Sequence, residues 1–326
     1  MPHPSFLTLR KRLMHNASTR ESLGAAMVST LFDALRVYQW SKNLLLFAAL
    51  IFAQQIQHPY QVLRSIMAFA AFCAASSTMY IFNDLMDVES DRLHPEKRTR
   101  PFASGALSYG VGVFMFLALL AVSLVLGALL GLNFLAIVVF YLAVTTLYTL
   151  ALKKVVIVDV LIIAIGFVVR ATAGAIALDV TFSNWLVVCT LFLALFLGIS
   201  KRRHEMLSLE DEAANHREVL GHYTLAYLDT LILLVAGSTL ITYTIYTCSP
   251  EVVVRFGTDK LYLTLPLVVY GLFRYLYLVQ IGGEGGDPSG TLMKDRPLGI
   301  AVVLWALTCM LIIYWRVLAA YLPVHI

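Results

Sequence analysis

The chain has 326 residues, of which 60% are hydrophobic and only 13% are charged. Its mean hydropathy is +0.80, whereas a soluble domain is typically about 45–50% apolar and about 25% charged. The composition therefore excludes an ordinary soluble protein and indicates a polytopic membrane protein. The formal net charge of +4 is too small to indicate a nucleic-acid-binding protein, so no nucleic acid is expected as a partner.

Residues 1–29 form a polar, basic N-terminal segment. It has no apolar stretch followed by a small-residue cleavage site, so it is not predicted to be a signal peptide. We expect a mobile cytoplasmic tail here, followed by a single transmembrane domain at residues 30–326. The four cysteines lie inside apolar runs and lack the spacing of metal ligands, which indicates core residues rather than disulfides.

Nine apolar runs predict an all-α bundle of about nine transmembrane helices, because a bilayer core needs roughly 20 apolar residues per helical span. The first run is the shortest. Strong interruption by glycine or proline is confined to the loops, notably GGEGGDPSG at residues 282–290. The runs lie near residues 38–54, 62–83, 109–130, 133–152, 155–178, 183–200, 225–247, 261–280 and 298–315.

Lysine and arginine residues are distributed unevenly between the two sides of the predicted bundle. With the N-terminus inside, the inner segments contain eighteen of them and the outer segments four, while Arg170 and Arg274 lie within spans. Short cytoplasmic loops are enriched in these residues. We therefore expect a cytoplasmic N-terminus, with residues 85–108 and 201–224 on the same side.

The most unusual polar segment, NDLMDVESDRLHPEKRTRPFASG, directly follows the second apolar run. If the helix continues past the run, Asn83, Asp87 and Asp91 recur every four residues on one face, with Asp84 beside them. Carboxylates at this spacing repel one another unless a cation lies among them, and hard oxygen ligands suit Mg²⁺. Zinc is disfavoured because thiolates and clustered histidines are absent. The alternative is a solvated loop whose acidic residues balance neighbouring bases.

NDLMDVESD followed by KRTRPFASG resembles the first Asp-rich motif of the UbiA-type intramembrane prenyltransferases, a nine-helix superfamily. In those enzymes the motif holds Mg²⁺ against a diphosphate. The resemblance implies metal binding by Asn83, Asp87 and Asp91, and catalytic roles for Asp84, Asp87 and Asp91. It also implies that residues 30–326 form one catalytic domain.

The second Asp-rich motif of that superfamily is replaced here by basic residues. The sequence after the sixth predicted span reads GISKRRHEM, with Lys201, Arg202 and Arg203 where acids are expected. Lysine and arginine bind phosphate directly, so this cluster suits a substrate with an additional phosphate. The alternative is the ordinary enrichment of basic residues at cytoplasmic helix ends.

Further basic residues are predicted on the same side of the membrane: Lys42 in YQWSKN, Lys153 in YTLALKK and Arg170 in GFVVRATAG. A charge inside a span is costly and normally faces the bundle interior. Arg170 is therefore predicted to bind substrate, and the structural alternative is that it pairs with Asp159.

The motifs QWSKN, NDLMDVESD, HPEKRTRP, VVRATAGAIA, SKRRHE and DRPL together resemble one branch of the superfamily, the decaprenyl-phosphate phosphoribosyltransferases of the actinobacterial cell-wall pathway. The resemblance covers about residues 36–298. It implies transfer of 5-phosphoribosyl from 5-phosphoribosyl diphosphate to a polyprenyl phosphate, with Mg²⁺ as cofactor. The substrate-binding residues implied are Lys42, Asn83, Arg98, Arg100, Lys153, Arg170, Lys201 and Arg202.

Three other functions each agree with part of the sequence. A prenyltransferase that acts on an aromatic acceptor shares the fold and the first motif, but it predicts a second acidic motif that this sequence lacks. A transporter normally binds its substrate near the bilayer midplane, whereas the ionisable residues here cluster at one face. A purely structural membrane protein explains neither the Asp spacing nor Arg170. A homo-oligomer is one of the oligomeric states that the sequence allows.

Overall fold

The computed structural model describes residues 27–95, 97–181, 183–209 and 218–321. These residues form helices and turns and contain no strand, which confirms the predicted all-α class. Apart from its last three residues, the predicted N-terminal tail lies outside the described residues.

Within the described ranges, eight helices are long and apolar enough to cross a membrane, which makes the chain a multi-pass membrane protein. A ninth apolar helix, α1 (Val37–Phe52), is shorter. The long helices are α2 (Pro59–Met86), α3 (Tyr109–Leu130), α4 (Leu132–Leu150), α5 (Val158–Leu178), α6 (Asn184–Leu209), α7 (Leu225–Cys248), α8 (Lys260–Gln280) and α9 (Arg296–Tyr321).

Helix α1 corresponds to the predicted first span, and its geometry explains why that apolar run is short. Its first 11 residues form a 3-10 helix, and the last 5 are α-helical. A 3-10 helix rises about 2.0 Å per residue, compared with about 1.5 Å in an α-helix. Helix α1 therefore extends over roughly 30 Å, which is close to the thickness of a hydrocarbon core.

The chain divides into two units by its internal contacts. Unit 1 comprises the described residues within 1–40 and 73–123, and unit 2 comprises those within 41–72 and 124–326. In unit 1, the helical residues 27–35 pack against the C-terminal half of α2 and the turn that precedes α3. The buried residues of this core are Ala34, Ile81, Phe102 and Leu107.

Unit 2 is a helical bundle in which sequential helices are neighbours. Helix α5 packs against both α4 and α6, α6 packs against α7, and α8 packs against α9. The largest core cluster of the unit brings residues of α6, α7 and α8 together with Val160 at the start of α5. Short connections favour this arrangement, because they place consecutive helices side by side.

Helices α1 and α5 approach each other closely at Gly174. A Cβ atom at this position would collide with the backbone carbonyl of Leu46, a fully buried residue of α1. Glycine is therefore required for the close approach of the two helices, as is common at helix interfaces in membranes. The segment that Gly174 holds in place contains Lys42 and Asn43.

We expect Gly174→Ala to lower the free energy of unfolding by about 1–3 kcal/mol, because the added methyl group overpacks against a backbone atom that cannot rotate away. Gly271→Ala in α8 is the matched control, since a Cβ there meets nothing within 4 Å. Thermal unfolding of both variants in detergent tests this. Equal unfolding temperatures would show that the contact with Leu46 is not a constraint.

Candidate active site

The predicted metal-binding face keeps its helical spacing across the end of α2. Helix α2 ends at Met86 and a short helix, Val88–Leu93, follows. The N–H of Asp87 donates to the carbonyl of Asn83 (2.9 Å), and the N–H of Asp91 donates to that of Asp87 (2.8 Å). The Asn83 amide also donates to Oδ2 of Asp87 (3.0 Å). The four-residue spacing is therefore retained despite the break in the helix.

Asp84 is buried and is held by two arginines. Its Oδ1 atom accepts hydrogen bonds from Nη2 of Arg36 (2.6 Å) and from Nη1 of Arg100 (3.1 Å). Nη1 of Arg100 also donates to Oδ2 of Asp91 (2.7 Å). The Arg36 guanidinium lies over the Tyr80 ring, 4.8 Å from its centroid. Asp84 thus holds Arg36 and Arg100 in position. Arg100 also connects Asp84 with Asp91, one of the predicted metal ligands.

The oxygen atoms of this acidic cluster fit magnesium in chemical type. The side chains of Asn83 and Asp87 are in contact, and Asp91 lies one turn further along. Within the described ranges, no three His, Cys, Asp or Glu side chains form a group that could hold a metal ion. Magnesium usually completes its shell with water and substrate phosphates. An incomplete set of protein oxygens, one of them shared with Arg100, is therefore compatible with that ion.

The other predicted basic residue of this segment, Arg98, lies in the 3-10 turn Lys97–Thr99 and is exposed. Arg98 and Arg100 are thus placed differently, although they are only two residues apart. Arg100 belongs to the buried ion-pair cluster, while Arg98 faces the surface of unit 1.

Arg170 is buried within α5 and makes all its hydrogen bonds to neutral groups. Its Nε donates to Oδ1 of Asn43 (2.7 Å), its Nη1 to the carbonyl of Gly166 (2.7 Å) and its Nη2 to the hydroxyl of Tyr141 (2.9 Å). The guanidinium also lies over the Tyr141 ring (5.0 Å) and near the Phe167 ring (5.7 Å). Among the described residues, no carboxylate pairs with it. This buried positive charge therefore lacks a countercharge from the described part of the chain.

Arg202 has the opposite environment. Only 1% of its side chain is exposed, its Nε donates to Oδ2 of Asp159 (2.7 Å), and its Nη1 donates to Oε2 of Glu205 (2.6 Å). Asp159 also accepts a hydrogen bond from the Tyr223 hydroxyl (2.9 Å). The structural alternative in which Arg170 pairs with Asp159 is therefore wrong. Arg202 is the partner of that carboxylate.

The segment SKRRHE belongs to α6 rather than to a loop, because the helix continues beyond residue 200 to Leu209. Arg203 donates to Oδ1 of Asp229 (2.6 Å) and to the carbonyl of Val279 (2.9 Å). Lys201 is half-buried on the same helix. Arg202 and Arg203 thus both have carboxylate partners. The geometry of Arg202 favours a structural role, and its contact with substrate stays a prediction.

The remaining predicted residues occupy turns and helix ends of unit 2. Lys153 is half-buried in the 3-10 turn Leu152–Lys154, and Lys42 is half-buried in α1 next to Asn43. In the DRPL motif, Asp295 accepts hydrogen bonds from Arg274 (2.7 Å) and from the N–H of Leu298 (2.8 Å). The Arg274 hydrogen bond holds the pKa of Asp295 below its usual value. This motif therefore caps α9.

Residues 43–289 match the profile of the UbiA prenyltransferase family. The chain belongs to this family. Proteins named decaprenyl-phosphate phosphoribosyltransferase are similar over most of their length. The protein from Mycolicibacterium smegmatis is 33% identical over 89% of this chain and 94% of its own. The protein from Corynebacterium glutamicum is 30% identical over 87% of this chain and 86% of its own.

Solved structures of UbiA-family proteins share the fold. A UbiA homolog from Archaeoglobus fulgidus, bound to GPP and Mg²⁺, superimposes with a TM-score of 0.64 and 18% identity, covering 87% of this chain and 99% of that chain. The predicted UbiA-type bundle is therefore confirmed.

We expect Arg202→Met to lower the free energy of unfolding by about 3–5 kcal/mol, because it leaves the buried Asp159 without its guanidinium. Arg203→Met is the control. Its partner Asp229 is 35% exposed, so losing that ion pair is expected to cost no more than about 1 kcal/mol. Thermal unfolding in detergent measures both. An Arg202→Met variant as stable as Arg203→Met would argue against the structural role of Arg202.

Proposed function

We propose that this chain transfers the 5-phosphoribosyl group of 5-phosphoribosyl diphosphate to a polyprenyl phosphate lipid and releases diphosphate. Membership of the UbiA family and the names of the relatives in Mycolicibacterium smegmatis and Corynebacterium glutamicum support this proposal. Arg170 is the structural observation that carries it. A buried guanidinium with only neutral partners suits a phosphate group of a substrate, and both proposed substrates are phosphates.

The acidic cluster of unit 1 is proposed to bind the diphosphate of the donor. Asn83, Asp87 and Asp91 would hold Mg²⁺, which supplies positive charge to stabilise the leaving diphosphate. Asp84 keeps Arg36 and Arg100 in place through its two short ion pairs.

Basic residues are proposed to bind the remaining phosphates, which are the 5-phosphate of the donor and the phosphate of the lipid. In unit 2, neutral groups rather than carboxylates hold the Arg170 guanidinium. A phosphate there does not have to displace a protein carboxylate. The residues proposed for these contacts are Lys42, Arg98, Arg100, Lys153, Arg170 and Lys201.

The proposed reaction exchanges two bonds at the anomeric carbon of ribose. The bond from C1 to the diphosphate oxygen breaks, and its electron pair leaves with the diphosphate. A lipid phosphate oxygen forms the new bond to C1 from the opposite face. Because this nucleophile is already anionic at neutral pH, no general base is required. The residues then act mainly by positioning two anionic reactants and offsetting their repulsion.

The donor is a soluble, highly charged molecule, so the site is proposed to open to the cytoplasm. The excess of lysine and arginine in the predicted inner segments supports this orientation in a bacterial inner membrane. The lipid product would serve as a precursor for arabinan-type polymers of the cell envelope.

A direct assay tests the proposal. Purified protein in lipid nanodiscs is incubated with Mg²⁺, radiolabelled 5-phosphoribosyl diphosphate and polyprenyl phosphates of several lengths, and the lipid fraction is analysed. Transfer of label to the lipid is the expected result. If the lipid stays unlabelled, and a polyprenyl diphosphate with an aromatic acid reacts instead, then the chain is an aromatic prenyltransferase and the proposal is wrong.

Metal removal provides a second test. We expect EDTA to abolish transfer and Mg²⁺ to restore it. Asp87→Ala and Asp91→Ala should each reduce the rate by several orders of magnitude, because both lose a proposed oxygen ligand. Glu89→Ala is the matched control, since this carboxylate is in the same segment but is exposed and pairs with Arg92. Full activity in either aspartate variant would remove that residue from the proposed metal site.

A further inference from the structure

Ile157, the residue before α5, has an unusual backbone conformation. Its φ angle is +70°, in a region that side-chain-bearing residues rarely adopt and that is particularly unfavourable for a β-branched residue. Such conformations persist only where the surrounding structure holds them, and they are frequent near functional sites. The Ile157 backbone must therefore be held by a contact from another part of the fold.

That contact is the hydroxyl group of Tyr223. The N–H of Ile157 lies at the start of a helix, where it has no acceptor within the helix, and it donates to the Tyr223 oxygen (2.7 Å). The same hydroxyl donates to Oδ1 of Asp159 (2.9 Å), and Oδ2 of Asp159 accepts from Arg202 (2.7 Å). Burial raises the pKa of Tyr223 to about 12, so its proton remains available for this bond at neutral pH.

This chain of hydrogen bonds lies next to two of the proposed phosphate-binding residues. Lys153 lies in the turn Leu152–Lys154, which is connected to Ile157 by two residues and packs against the turn that precedes Tyr223. Lys201 directly precedes Arg202 in α6. Through Asp159, the Tyr223 hydroxyl thus connects the backbone near Lys153 with the helix that contains Lys201.

We propose that Tyr223 is a positioning residue that holds the connection between α4 and α5 in its strained form, and with it Lys153, for phosphate binding. The phosphate-binding part rests on the proposed function, whereas the restraint on Ile157 does not. In this proposal Tyr223 does not contact a substrate. Its effect is transmitted through the backbone of Ile157 and through the carboxylate of Asp159.

Tyr223→Phe tests the kinetic consequence, because it removes only the hydroxyl. We expect the apparent KM for 5-phosphoribosyl diphosphate to rise about tenfold with kcat nearly unchanged. This result is expected when the substrate and the transition state lose the same amount of binding energy. Tyr227→Phe is the matched control. The Tyr227 ring stacks on that of Tyr223, and its hydroxyl makes no hydrogen bond within the described part of the chain. Equal KM values in the two variants would overturn the positioning role.

A second measurement does not depend on activity. In a background without native cysteines, Val155→Cys places a thiol in the exposed connection, and its rate of maleimide labelling is measured in detergent. Tyr223→Phe should increase this rate severalfold, and Tyr227→Phe should not. Ile157→Gly, which tolerates positive φ, should make the rate insensitive to Tyr223→Phe. An unchanged rate in Tyr223→Phe overturns the proposed restraint.

The two measurements separate the possible failures. If labelling responds as expected but the wild-type protein transfers no phosphoribosyl group, the proposed function is wrong and the restraint by Tyr223 stands. If Tyr223→Phe does not fold, adding Ile157→Gly should restore folding by removing the strained residue. A double variant that still fails to fold would show that the hydroxyl serves another purpose, and the proposal would be wrong.

Discussion

Burying an arginine inside a membrane protein costs free energy unless a countercharge or a full set of hydrogen bonds offsets the lost hydration. Two arginines are buried within the described residues, Arg170 and Arg202. Arg202 lies between the carboxylates of Asp159 and Glu205. Arg170 is instead held by an amide, a backbone carbonyl and a phenol. This difference separates an arginine with carboxylate partners from the one that we propose binds an anionic substrate.

The acidic cluster of unit 1 follows a related principle with the signs reversed. Its buried carboxylates are those of Asp84 and Asp91. Arg36 and Arg100 balance Asp84, and Arg100 is shared with Asp91. Metal binding at Asp91 would therefore compete with an existing ion pair. A diphosphate that arrives with the metal would accept hydrogen bonds from the displaced guanidinium. Arg36, at the end of the helical residues 27–35, ties the segment before α1 to this cluster.

The membrane helices and the acidic spacing could be predicted from the sequence, because both depend on local periodicity. The apolar runs define the spans, and hydrogen bonds between residues four apart preserve the face of Asn83, Asp87 and Asp91. The apolar run predicts the end of α6 at residue 200, whereas the helix continues to Leu209. Hydropathy shows where a helix becomes polar, not where its backbone hydrogen bonding stops. The 3-10 form of α1 has no comparable sequence signal.

The ion pairing could not be predicted, because it depends on how helices pack. Asp159 precedes Arg170 by 11 residues on α5, which is three helical turns and too far for a local pair. Its actual partner, Arg202, is 43 residues away on α6. Asn43 and Tyr141, which hold Arg170, are similarly distant in sequence, although QWSKN contains the first of them. The role of Tyr223 depends on the φ angle of Ile157, which no side-chain pattern reveals.

The most direct test of the charge on Arg170 is the increase in unfolding temperature that Mg²⁺ and 5-phosphoribosyl diphosphate produce, because a ligand that binds only the folded state stabilises it. The wild-type protein and Arg203→Met should both show this increase. Arg170→Met should be folded without ligand, because it removes an uncompensated buried charge, but should show little or no increase. An Arg170→Met variant that is stabilised by ligand as strongly as wild type would contradict the assignment of Arg170 to substrate binding.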